Sequence, residues 1–281
     1  MIKRRTFLKI LLATCACNCF PDAALAGTHT PHRPPGVIPG GDGSPQEAFG
    51  RRNFRVNGLG QIVLFPADYA LLRSTSERLA RVQLVAGHGN FALMNIEDAF
   101  AHARYDPSIG AFTRDEIRFM HKIFHQNARL YGFKGEKPLT AITDDIGGAD
   151  FVRVPGTGNY LFTGTSIKTY HKMSSDVGKK LILTSGIRGI AKQFYLFFRK
   201  AVKTKGNLSI ASRSLAPPGY SFHGVGDFDV GSIGLGSDNF TRHFTQTDVF
   251  KKIRKLDYVR LRYTESNRLG VRFEPWHIKV I

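Results

Sequence analysis

The chain has 281 residues, 42% of them hydrophobic, and a formal net charge of +18 from 40 Lys and Arg against 22 Asp and Glu. That balance excludes a disordered polymer and leaves enough apolar residues for a real core. The positive charge suits anionic partners, but no stripe of basic residues interleaves with aromatics, so no nucleic-acid partner is expected.

The first residues read as an address. Lys3-Arg4-Arg5-Thr6-Phe7-Leu8-Lys9 leads into the apolar run 10–20, and Ala24-Leu25-Ala26 precedes Gly27. A basic start, a short apolar stretch and an A-x-A site mark 1–26 as a signal peptide. Its Arg-Arg-x-Phe-Leu-Lys core is similar to the twin-arginine export signal, with the Sec route as the other option. The apolar run is too short to span a bilayer, so the mature chain is expected to have no transmembrane segment. The expected location is the periplasm or cell envelope. Cys15, Cys17 and Cys19, the three cysteines, all lie in this signal. The mature chain then has neither a disulfide framework nor a thiolate ligand.

Residues 27–53, rich in Pro, Gly and His, read as a flexible tether in which His29 and His32 are solvated. Residues 54–65 suggest a short strand pair turning at Asn57-Gly58. Pro66-Ala67-Asp68 then opens a helix to about 85, with Leu71, Leu72, Leu79, Val82 and Leu84 as its apolar face. Gly87-His88-Gly89-Asn90 breaks it, and a short helix follows over 96–104. Residues 54–110 read as a helical N-terminal extension, and 111–281 as the catalytic domain.

Thr113-Arg114-Asp115-Glu116 is a capping box for a helix running to about 131. His121 and His125 stand at i, i+4 on one face, but the His-Glu-x-x-His pattern is missing, so they read as partly buried structural histidines. Residues 147–165 are a loop or hairpin, 180–185 a buried strand, 186–189 a turn, and 190–202 a helix. The aromatic stripe of that helix, Phe194, Tyr195, Phe197 and Phe198, reads as core. Residues 207–218 read as an ordered loop and 231–236 as a glycine-rich surface loop, because no Lys follows as a phosphate loop requires. A helix over 247–256 and strands over 258–263 and 270–281 complete the chain.

Chemistry concentrates in two stretches, 220–231 and 273–277, which supply His223, Asp227, Asp229, Glu274 and His277. A hydrolytic zinc takes three protein ligands, keeps one position for water and has a carboxylate nearby as base. His223, one of the two Asp and His277 fit as ligands, with Glu274 as base. An extended chain from His223 to Asp229 would span about 20 Å, so the segment must fold back, which Gly224 and Gly226 permit. Glu274 and His277, three apart, share a side only if alternation breaks at Pro275.

Ser221-x-His223-x-x-Gly226 followed by an Asp, and Glu274-Pro275-Trp276-His277 near the end, resemble the zinc D,D-carboxypeptidases and related peptidoglycan peptidases, including the vancomycin-resistance D-alanyl-D-alanine carboxypeptidases. Thr184-Ser185-Gly186-Ile187-Arg188, with Gln193 behind it, is similar to the family's Ser-Gly-Tyr-Arg-Ser…Gln segment. The likeness covers roughly 180–281. It implies His223, His277 and an Asp as zinc ligands, and Glu274 as base then acid. It implies Arg188 stabilising the charge on the scissile carbonyl oxygen, and Ser221 and Gln193 holding the peptide's carboxylate end. Trp276 is read as support for its two neighbours. In the family the aspartate stands one residue farther from the histidine, where this chain has Val230. Asp229 is preferred because its Asp-Val-Gly context matches the residues around the family's ligand, and Asp227 is the alternative.

The resulting expectation is an α+β fold: a small, mainly antiparallel sheet carrying the site, with helices on one face. The expected activity is zinc-dependent hydrolysis of the terminal D-Ala-D-Ala bond of peptidoglycan stem peptides. The alternatives are an endopeptidase cutting within the stem or cross-bridge, and a zinc-bearing cell-wall binding module without catalysis.

Overall fold

Two hydrophobic cores organise the described residues, 54–146 and 149–280 of a computed structural model. The signal-peptide and tether readings fall on 1–53 and lie outside the described residues.

The first core is largely helical. Strands β1 (Arg55–Val56) and β2 (Ile62–Val63) form an antiparallel pair around the Asn57 turn. Helix α1 (Pro66–Ala86) starts on Pro66, where the missing N–H is not needed, and buries Leu72, Leu79 and Val82. Gly87, at φ 79°, breaks it as expected, but a short helix α2 (His88–Leu93) follows at once, then α3 (Ile96–Tyr105), capped by Asn95. The capping box at Thr113 forms, and helix α4 (Arg114–His125) follows. It ends earlier than the sequence suggested. Asn127 accepts from the Arg129 N–H and starts a separate 3-10 turn, Ala128–Tyr131, because its side chain gives the backbone a partner outside an α-helix. His121 and His125 stack at 5.9 Å on an exposed face, rather than being partly buried.

Strands β3 (Phe151–Arg153) and β4 (Tyr160–Phe162) form a hairpin. Helix α5 (Thr165–Val177), which the sequence reading omitted, leads to β5 (Leu181–Ser185) and then helix α6 (Ile190–Lys203). The aromatic stripe of α6 is core: Phe194, Phe197 and Phe198 are fully buried, with Phe198 at 5.4 Å from Phe119 and Phe194 at 6.3 Å from Phe124. Helix α6 packs on α1, so the 54–110 segment shares this core. The stretch expected as a loop after 207 holds helix α7 (Leu208–Ser212), capped by Asn207.

The second core supports the sheet. Strands β5, β6 (Phe228–Ser232), β8 (His277–Lys279) and β7 (Arg260–Leu261) lie side by side in that order, all antiparallel. Tyr170, Met173 and Val177 of α5, with Val249, Phe250 and Ile253 of helix α8 (Asp248–Ile253), cover Leu181, Leu183, Phe228, Val230 and Ile278. The fold is α+β. β7 and β8 are shorter than the alternation suggested, because turns at Asp257-Tyr258 and Pro275-Trp276 occupy part of each expected strand. Gly231 is a buried strand residue rather than loop surface. A Cβ there would lie 2.5 Å from Asn239 Cγ, and Asn239 accepts from the Ser232 N–H.

Among the described residues no helix is long and apolar enough to cross a membrane. Phe198→Ala should cost about 3–5 kcal/mol in denaturant unfolding, and Phe151→Ala, on the exposed hairpin, under about 1 kcal/mol. Equal costs would contradict this placement of the core.

Candidate functional site

Strand parity sets the site. Phe228 and Val230 face the second core, so Asp229 points to the opposite side of the sheet. Register pairs Asp229 with Ser185 on one side and with His277 on the other, so three neighbouring strands contribute to one row. His223 arrives from a 3-10 turn, Phe222–Gly224, whose Phe222 carbonyl accepts from the Gly226 and Asp227 N–H groups. Two glycines permit this fold-back for different reasons. A Cβ on Gly224 would lie 2.7 Å from Leu139 Cδ1, and Gly226 has φ 146°.

One ligand atom each from His223, Asp229 and His277 lie within 4.8 Å of one another, all buried. His223 Nδ1 is 2.8 Å from the Gly186 carbonyl, so that nitrogen carries the proton and Nε2 presents its lone pair, 3.2 Å from Asp229 Oδ1. His277 Nε2 is 3.0 Å from Asp227 Oδ2, which leaves Nδ1 facing Asp229 Oδ1 at 3.4 Å. Among the described residues His223 Nε2 and Asp229 Oδ1 are buried without a hydrogen-bond partner. Such atoms cost about 1–3 kcal/mol each. A divalent cation between these donors would satisfy them, and two imidazoles with one carboxylate are zinc-type donors.

Asp227, the alternative ligand, stands behind His277 rather than in the cluster. Its carboxylate accepts from the Val280 N–H at 2.9 Å and pairs with Arg262, while orienting the His277 ring. That is the usual arrangement of a carboxylate supporting a ligand histidine. Asp227, Arg262 and the Gly186 carbonyl were not assigned these duties from sequence. Only Asp227 carried a signal, as the second carboxylate of the motif.

The charges are strongly coupled. Burial, with the Arg188 charge, brings His223 down to about 4 against the pull of Asp229. Burial opposes a charge on His277 too, but the bonds to Asp227 and Glu274 and the Asp229 charge prevail and lift it to about 9. Burial would raise Asp227, yet His277 and Arg262 hold it at about 2. Burial raises the Glu274 carboxyl above its ordinary value, with His277 pulling the other way.

Glu274 Oε2 lies 3.6 Å from His277 Nδ1, on the same edge of the cluster, because the Pro275-Trp276 turn breaks alternation. Arg188 donates to Asp229 at 2.5 Å and to Ser185 Oγ at 2.9 Å. These groups open on a cavity of about 500 Å³ that Arg188, Ser221, Asp229, Glu274, Trp276 and His277 help line. Gln193 is not among the lining residues. Its amide donates to the Arg188 carbonyl and accepts from the Gly219 N–H, both at 2.8 Å, so it fixes the two loops that carry Arg188 and Ser221. His121 and His125 are not part of the cluster.

With zinc as the probe and a chelator as competitor, Asp227→Asn should lower affinity about 10–100-fold. Asp229→Asn should lower it further. The reverse ranking would make Asp227 the ligand.

Compared with curated proteins, the chain matches none. Among solved structures it is similar to a mutant of the vancomycin resistance D,D-pentapeptidase VanY from the VanB-type resistance cassette, in complex with Zn(II). The two share 23% identity over 47% of this chain and 78% of the other, at a TM-score of 0.38. The LdcB LD-carboxypeptidase shares 22% identity over 47% of this chain and 64% of its own, at 0.38. The vancomycin resistance D,D-dipeptidase VanXYg, in complex with a D-Ala-D-Ala phosphinate analog, shares 19% over 46% and 53%, at 0.37. Residues 164–281 match the family model of the VanY D-alanyl-D-alanine carboxypeptidases, a stretch that includes all four strands of the sheet and every residue of the cluster. Over these residues, less than half of its length, the chain is similar to the D-alanyl-D-alanine carboxypeptidases.

Proposed function

We propose that this domain hydrolyses the terminal D-Ala-D-Ala bond of peptidoglycan stem peptides, with zinc held by His223, Asp229 and His277. The observation that carries the reading is the pair of partnerless buried atoms, His223 Nε2 and Asp229 Oδ1, with the Glu274 carboxylate beside them on an open cavity. Zinc bound there supplies Lewis acidity and makes a bound water more acidic.

The chain's own groups have separable duties. Glu274 takes a proton from the attacking water and returns it to the leaving amine, so the C–N bond breaks with a neutral amine departing. Its raised pKa, caused chiefly by burial, suits a group that must both accept and donate. Arg188, its Nε fixed by Ser185, faces the oxygen on which negative charge develops. Ser221 lines the cavity where the peptide's carboxylate end is expected, and Gln193 holds the loops around it. A non-catalytic zinc module has no use for a buried carboxylate at the position of Glu274. The basic start and A-x-A site support export to the envelope, where this polymer lies.

The zinc-loaded protein should release D-alanine from a pentapeptide ending in D-Ala-D-Ala. Glu274→Gln should keep zinc and lose about 10²–10⁴ in kcat, whereas His223→Ala should lose both. Full activity in Glu274→Gln would overturn the mechanism, and cleavage of internal bonds alone would make the domain an endopeptidase.

A further inference from the structure

One long wall of the cavity is helix α6, which starts just after Arg188 and contributes Lys192, Leu196, Lys200 and Lys203. At 3.6 residues per turn these four fall within about 80° of the helix circumference, and at 1.5 Å per residue the outer lysines stand about 16 Å apart along the axis. Arg272 also lines the cavity, and its charge adds to burial in lowering the Lys200 pKa.

Little negative charge answers this row. Among the described residues none of the three lysines forms an ion pair, and Lys192 is held by the neutral Gln83 amide near His88. The cavity's two acids are already engaged: Asp229 by Arg188 at 2.5 Å, and Glu274 with Arg272 at 3.8 Å. Burial and the neighbouring Arg188 and Arg199 bring Lys192 to about 8. A cleft with excess cations and low-dielectric walls favours an anionic occupant.

Length decides which part of a substrate lies there. A carboxypeptidase places one residue on the leaving side, about 3.3–3.6 Å of extended chain. A row of about 16 Å matches four to five extended residues, so it faces the acyl side of the scissile bond. We propose that Lys200 and Lys203, in one row with Lys192, form a subsite for a free carboxylate carried by the peptide upstream of that bond. This rests on the carboxypeptidase reading above, and it makes the domain selective for acidic stem peptides.

The test uses zinc-loaded Glu274→Gln protein, which blocks turnover, and the fluorescence of Trp276, the chain's single tryptophan, which lines the cavity. Two peptides ending in D-Ala-D-Ala differ only in carrying Glu or Gln four residues before the scissile bond. The acidic peptide should bind about tenfold tighter at low salt, as for one charge-assisted contact. Adding Lys200→Gln with Lys203→Gln should bring that ratio close to one, while Lys203→Arg keeps it. Equal affinities, a ratio unmoved by the double substitution, or a preference that depends only on the C-terminal carboxylate would overturn the subsite. Hydrolysis by the unsubstituted protein separates the two readings. Cleavage of both peptides at equal efficiency removes the subsite and leaves the activity. Binding preference without any cleavage removes the activity and leaves the subsite.

Discussion

The rest of the site depends on the enclosure of two lone pairs that nothing among the described residues satisfies, on His223 Nε2 and Asp229 Oδ1. A folded protein rarely leaves such atoms buried and unmatched. Here their surroundings are arranged to keep them so: the Gly186 carbonyl takes the other nitrogen of His223, and Asp227 takes the other nitrogen of His277. Both rings are thereby fixed in one tautomer and orientation, with the remaining electron pairs converging beside Asp229. Arg188 pairs with Asp229 and Arg262 with Asp227, so each carboxylate also has a guanidinium beside it.

This convergence is a product of strand register. Asp229 sits between Ser185 and His277 on adjacent antiparallel strands, while Phe228 and Val230 anchor the same strand in the core beneath helices α5 and α8. A one-residue slip would move Asp229 into that core. The apolar alternation therefore stabilises the geometry of the cluster directly. The first core supplies the other wall, because α6 carries Phe194, Phe197 and Phe198 inward and its lysines toward the cavity. One helix both anchors the fold and shapes the cleft.

Much of this was legible in the residues. His223, His277 and Glu274 stood in recognisable spacings, and the buried strand of β5 and the aromatic face of α6 followed from their apolar patterns. The capping box at Thr113 placed the start of α4. What was not legible depended on contacts distant in sequence. The choice between Asp227 and Asp229 turns on Arg262 and Val280, which reach Asp227 from the far end of the chain. Gln193 looked like a substrate contact, but its amide is taken up by two backbone groups that come near it only in the fold. Helix α5 had a signal in Ile167, Tyr170, Met173 and Val177, at spacings of three and four, between Gly164 and Gly178. The early end of α4 came from Asn127 capping a new turn, a local competition that apolar periodicity does not report.

The central claim is that one metal ion sits on His223 Nε2, Asp229 Oδ1 and His277 Nδ1, with Asp227 outside its coordination. Anomalous diffraction at the zinc absorption edge, from crystals of the zinc-loaded protein, tests it most directly. The account predicts one peak about 2.0–2.1 Å from the two named nitrogens and about 2.0–2.2 Å from an Asp229 oxygen. A peak on Asp227 or His277 Nε2, or one shared by His121 and His125, would contradict it.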